Sequence, residues 1–358
     1  MSFGSRATRL EACLSAIPTY AMGLYFHPDG IHKKLDSIRA RYYWEGIGDK
    51  RKYHMSNWES LALPKDFGGL GFLDTRLRNL ALLAKWIFLV ENGVPDNLCA
   101  ELLRKKYLTR GGIFQFNKIE GSQFWKGLLN IRGWVKRGCS WLVGKGSHVF
   151  FWEDVWARSC PLKVYFHSLY IICNQQGCVV ADAARMGIDG FTFRRNFDQT
   201  ERVEWEELRD IVENITLTND NDMLQWDLEH KKTFSSSSMY RFLSFRGIAD
   251  YKMNIMWKAP IPLKVKHFLW LVSRDRIQAA AVLKSRNWEG SDFCKIYGEV
   301  KTTKHVMFDC PMAKFVWCVC RDALDWAIVP GSFEMVLHLG LEGFSDKHCK
   351  TVMMIIGA

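Results

Sequence analysis

No uncharged apolar run in the sequence reaches about 18 residues, so it offers no transmembrane helix. Its opening, Met-Ser-Phe-Gly-Ser-Arg, lacks the apolar stretch of a secretory signal. Eleven cysteines fall at irregular spacings, and an odd, scattered set is not a disulfide framework. These absences point to reduced thiols in the nucleus or cytoplasm, not to a secreted or membrane protein. Acidic residues are also short: 38 Asp and Glu face 49 Lys and Arg, a formal net charge of +11. No second carboxylate is placed beside Asp154 by the sequence, so Asp154, between Trp152 and Trp156, reads as a capping or hydrogen-bonded acid and not as a catalyst. Gly68-Gly69-Leu70-Gly71 lacks the Lys-Ser/Thr of a phosphate loop. Asn219 to Asp222 lacks the Gly and closing Glu of a calcium loop.

What is present is a chain long enough, at 358 residues, for two or three domains. Its basic balance favours anionic partners such as nucleic acid. Fifteen tryptophans mostly serve as core plugs, because the indole carries a large apolar surface. Helical spacing predicts helices over residues 5–17, 31–44, 77–88 and 98–109, with Pro18 ending the first. In the second, Ile31, Leu35, Ile38 and Tyr42 form the expected inward stripe. Lys33, Lys34, Arg39 and Arg41 lie around the rest, and Lys50, Arg51 and Lys52 follow in a loop. Repulsion among these like charges is relieved if phosphates neutralise them. Residues 110–121 read as a linker, and Ser122 as a helix cap. A hairpin is expected over 140–151 with Gly144-Lys145-Gly146 as its turn, and a second across 224–234. Further helices are expected at 180–186, 201–212 and 235–243. Pro262 opens another, with Val265, Phe268, Leu269 and Val272 inward and Lys264, Lys266 and His267 off that stripe. Arg274 and Arg276 extend the positive character.

The chemistry-bearing stretch is Phe293 to Trp317. Cys294, His305 and Cys310 are soft and borderline metal ligands at separations that suit a small zinc knuckle. With Cys in place of Tyr297 the spacing would be Cys-x2-Cys-x7-His-x4-Cys. Gly298 would let the backbone fold beneath a metal. Cys310 stands before a helix opened by Pro311, whose dipole favours its thiolate. A phenol rarely displaces a thiolate on zinc. Asp292, Glu299, Asp309 or a water are the candidates for a fourth ligand, while Cys318 is too far along the helix. Weak zinc binding and a metal-free remnant held by apolar flanks both remain open.

This stretch resembles the reverse transcriptase zinc-binding domain of plant LINE-type (non-LTR) retrotransposon polyproteins. The segments Trp257 to Trp270 and Ala313 to Trp317 share the resemblance. So do Leu14 to Tyr20, Pro64 to Gly71, Asn79 to Trp86, Arg137 to Gly146 and Phe151 to Trp156, in the family's order. The resemblance implies a thumb-like or connection-like N-terminal region that grips a template duplex. The family's polymerase motif Tyr-x-Asp-Asp is absent, and no acidic ribonuclease H region follows the zinc stretch.

The expected fold is α+β and mainly α-helical: a helical bundle at 1–110, a middle segment with β-hairpins at 122–230, a zinc-knuckle-like domain at 233–325 and a tail at 326–358. The expected function is that of a retrotransposon-derived fragment without catalysis of its own. It would bind zinc weakly through Cys294, His305 and Cys310. It would bind RNA or DNA non-specifically through Lys33, Lys34, Arg39, Arg41, Lys50, Arg51, Lys52, Lys264, Lys266, Arg274 and Arg276. The alternatives are part of an RNA-directed DNA polymerase that needs a core lying elsewhere, and a partner-docking protein or unselected gene remnant with neither affinity.

Overall fold

The computed structural model describes residues 2–48, 52–93, 97–108, 111–116 and 120–341. Lys50 and Arg51 lie outside them. The protein is α+β and mainly helical, and its one two-stranded sheet among the described residues is antiparallel. Chain contacts fall into two units. The first takes the described parts of Met1–Thr19, Pro28–Arg76 and Ser244–Ala358. The second takes Tyr20–His27 and Leu77–Leu243. The contacts therefore cluster differently from the serial division expected from the sequence, since residues 28–76 share a unit with the zinc stretch.

In the first unit, helix Asp29–Glu45 begins after Pro28 with an acid in its first turn, and ends at Gly46, whose φ of 80° suits glycine. Its buried face is not the stripe expected from the sequence. Ile31 and Ile38 are exposed, while His32, Asp36, Arg39, Ala40, Tyr43 and Trp44 are buried. The inward polar groups are tolerated because they are bonded. Arg39 donates to Ser15 Oγ at 3.0 Å and to the Leu73 carbonyl at 2.6 Å. It also pairs with Asp36 at 3.5 Å and lies over the Trp58 ring at 4.6 Å. Helix Leu263–Ser273 follows Pro262 and buries Val265, Leu269 and Val272 as expected. It also buries His267, which the sequence placed off the stripe. Tyr43 and His267 share a 2.8 Å hydrogen bond in this core, and Trp270 donates to the Gly68 carbonyl. Helix Phe3–Arg9 lies so close to the 263–273 helix that a Cβ on Gly4 would sit 3.2 Å from the Lys264 backbone nitrogen.

In the second unit, helix Thr75–Asn92 buries Ala81, Leu83, Ala84, Ile87 and Val90 completely. Ser122 caps helix Gln123–Lys136, as expected. Leu102 on helix Leu98–Tyr107 is exposed. Neither expected hairpin forms. Strand β1 (Cys139–Leu142) pairs antiparallel with strand β2 (Met223–Trp226), with Trp141 opposite Leu224. The glycine turn is bound up elsewhere: Asp222 accepts the amides of Gly144, Gly146 and His148 at 2.8, 2.7 and 3.0 Å. A buried carboxylate with three backbone donors outweighs the turn preference of Gly144-Lys145-Gly146. Asp154 accepts the Phe150 amide and pairs with Lys136 at 2.6 Å, a structural acid. Of the other expected helices, 180–186 forms with those bounds.

Candidate metal centre and basic clefts

Everything that positions the metal candidates lies in the first unit. Phe293 bridges Val300, closing a turn over Lys295, Ile296 and Tyr297. The Gly298 amide donates to the Cys294 carbonyl at 2.8 Å, and Gly298 takes φ +69°, the conformation its residue type admits. A π-helical turn, His305–Asp309, separates the other two candidates; such bulges re-aim side chains and gather at functional sites. Cys310 then stands as N-cap of helix Pro311–Leu324, with Pro311 in its first turn. Beneath, Phe308 stacks on Trp317 with centroids 5.9 Å apart, and the Trp317 indole donates to the Met307 carbonyl. Burying such rings stabilises the loop by about 1.5–3 kcal/mol each.

This scaffold brings one ligand atom from each of Cys294, His305 and Cys310 within 4.8 Å of one another. No fourth His, Cys, Asp or Glu joins the group among the described residues. Glu299, a candidate fourth ligand, has another task. Its Oε2 lies 3.0 Å from His305 Nδ1. That contact holds the imidazole so that Nε2 is left for a metal, the usual outer-shell arrangement of a ligating histidine. Nε2 is buried and makes no hydrogen bond of normal geometry. A buried polar atom without a partner is what a missing ion would satisfy. Asp309 is paired with Lys304 at 3.6 Å. The Cys294 thiol is pulled down to about 7, first by His305 and then by the amides of Ile296 and Tyr297. The Tyr297 backbone therefore supports the site, while its side chain stands 42% exposed. The donor set fits zinc with three protein ligands, and zinc held that way is held weakly.

The cationic residues expected from the sequence sort by burial. Lys33, Lys34, Arg41, Lys52, Lys264, Arg274 and Arg276 are exposed. Arg39 is the correction: it is 2% exposed and occupied by core partners, so it presents no charge to a phosphate. Lys266 is half-buried and donates to the Trp257 carbonyl at 2.6 Å, and burial lowers its pKa. Two adjoining clefts collect four of the exposed cations. One, of about 930 Å³, is lined by Ser37, Arg41, Glu45, Lys52, Tyr53, His54 and Arg286. The other, of about 550 Å³, includes Arg274, Arg276, Arg286 and Trp58. His54 and Arg286 line both. Arg286, which continues the positive character of Arg274 and Arg276 along the sequence, reaches the His54 and Met55 carbonyls and fixes the shared wall. Glu45 is the one carboxylate in the lining. His54 and, less strongly, Arg41 hold it below its ordinary pKa.

Comparison with known proteins gives the chain its kinship. Residues 234–317 match the family described as zinc-binding in reverse transcriptase. An "Uncharacterized mitochondrial protein" of Arabidopsis thaliana is 33% identical over 143 residues, 39% of this chain and 92% of that protein. The chain belongs to the plant retrotransposon reverse transcriptase family with this zinc-binding region. A second member of the same plant, named "Putative ribonuclease H protein", is 28% identical over 330 residues, 88% of this chain. The chain spans about half of that relative's length, 52%. No solved structure matches. The family match covers all three metal candidates, Cys294, His305 and Cys310.

Proposed function

We propose that this chain is the nucleic-acid-holding region of a retrotransposon polyprotein, with catalysis residing in other parts of such proteins. It would bind RNA or DNA without sequence preference, its zinc stretch acting as a structural brace. One observation carries the reading: cations more than 200 residues apart in sequence, Arg41 and Lys52 on one side and Arg274 and Arg276 on the other, line two clefts with a common wall. Five cations against one carboxylate make that lining an electropositive track for a phosphate backbone. Such binding releases counterions, so log affinity falls with log salt by about 0.7–0.9 per phosphate contact.

The test is the affinity of the full chain for unrelated single strands and duplexes at two or more salt concentrations. The expected log–log slope is about −3 or steeper, nearly independent of sequence. A flat salt response would remove the reading. In Lys52→Ala with Arg276→Ala, both solvent-facing, the slope should become shallower by about two. A second reading, docking of a protein partner, has one observation in its favour: helix Pro311–Leu324 exposes Met312, Phe315, Val316 and Val319 along one side. Absence of both nucleic-acid and metal affinity in the purified chain would favour it.

A further inference from the structure

We infer that Cys294, His305 and Cys310 form a three-coordinate site for a soft monovalent ion, Cu(I), in which the position of Tyr297 takes no part. The inference rests on the reading of these residues as a metal site and specifies its occupant. Three atoms mutually within 4.8 Å share an in-plane point no more than about 2.8 Å from each, so a small inward movement gives bonding distance to all three. An ion in that plane needs no fourth ligand. Zinc does: it takes a fourth donor, and no fourth His, Cys, Asp or Glu joins the group among the described residues.

The donor set has the softness Cu(I) selects, two thiolates and an imidazole. Each donor is also fixed before any ion arrives. His305 is held through Nδ1 by Glu299, leaving a buried Nε2 that makes no hydrogen bond of normal geometry. Cys294 sulfur takes the amides of Ile296 and Tyr297. Cys310 is set by the π-helical turn before it and the helix after it. Binding displaces the two thiol protons and leaves the oxidation state of copper unchanged. The charge of the bound unit, two thiolates and one monovalent cation, is −1. Lys295, next to Cys294 in sequence, is of the sign that favours it, and the Glu299 carboxylate against His305 is of the opposite sign.

The test uses the reduced full chain without oxygen. Cu(I) is delivered from a chromophoric Cu(I) chelator and Zn(II) from a chromophoric zinc chelator, each in competition. Wild type should take one Cu(I), with X-ray absorption reporting two sulfurs and one nitrogen. Tyr297→Cys should raise zinc affinity by about 100-fold or more while changing Cu(I) affinity by less than about 10-fold. Tyr297→Phe should leave both unchanged, which keeps the test decisive if the Cys variant folds poorly. Cys310→Ser should lose both ions. Wild type holding zinc as tightly as Tyr297→Cys, or a fourth ligand on its Cu(I), would overturn the inference and leave the metal site standing. Failure to bind either ion would overturn the metal site itself. Neither result bears on the salt slope of nucleic-acid binding.

Discussion

Glu299 and Tyr297 divide the work around one imidazole and two sulfurs. The carboxylate at 3.0 Å from His305 Nδ1 sets the ring's orientation. Glu299→Gln keeps the shape and removes the charge, so metal affinity should fall by about 10-fold, read by chelator competition. The fold of the loop should survive, because Phe308, Trp317 and Trp326 stack beneath it without the ion. At this scale the sequence was informative. Two thiols, one imidazole and their spacing were sufficient to find the trio. Glu299 could be named only as a candidate ligand, because spacing does not distinguish a group that binds a metal from one that braces a ligand. Arg39 shows the opposite error. Its charge predicted exposure, yet its hydrogen bonds allowed burial, and those bonds join residues 15, 36 and 73, which no local pattern links.

Helices were legible in their existence and their starts, since caps and prolines act locally. Ser122, Pro262 and Pro311 each stand where a helix starts. The face that a helix buries was less legible. On helix Asp29–Glu45 an aliphatic stripe was the expected interior, but the core is built from Tyr43, Trp44 and bonded polar groups one position away. Substitution should show this plainly. Trp44→Ala should cost about 3–5 kcal/mol of unfolding free energy, and Ile38→Ser less than about 0.5, both from denaturant titration. Pairing of strands was not legible at all. The two strands lie over 80 positions apart, and the competing turn is captured by Asp222.

Across the whole molecule the two units should respond to acid in opposite senses. Burial, helped by the charge of Lys65, pushes His267 in the first unit down to about 4. The unfolded chain takes a proton near pH 6.5 and the native core resists it until about pH 4. This unit is therefore most stable above about 6.5, and should lose about 3 kcal/mol as pH falls to 4. His267→Gln should flatten that fall. Burial pushes Glu91 in the second unit up to about 7 against the opposing pull of the Ile113 amide and Arg104. Here the native state keeps a proton that the unfolded chain has already released. That unit should weaken as pH rises from about 4.5 to about 7, and Glu91→Gln should remove the dependence. Amide hydrogen exchange, read segment by segment, follows both.

The tight approach of Gly4 to the Lys264 backbone has a practical sequel. A fragment trimmed to residues 234–317 would discard the helix that covers Lys264, together with Tyr43, Trp44 and Phe72. Its newly bared aromatic seam would seek other molecules, so such a truncation should come out of cells as aggregate. Adding back both the leading 76 residues and residues 318–341, which carry Trp326 and Phe333 of the same core, should restore solubility. The boundary that sequence kinship draws is thus a boundary of ancestry, and the chain folds across it.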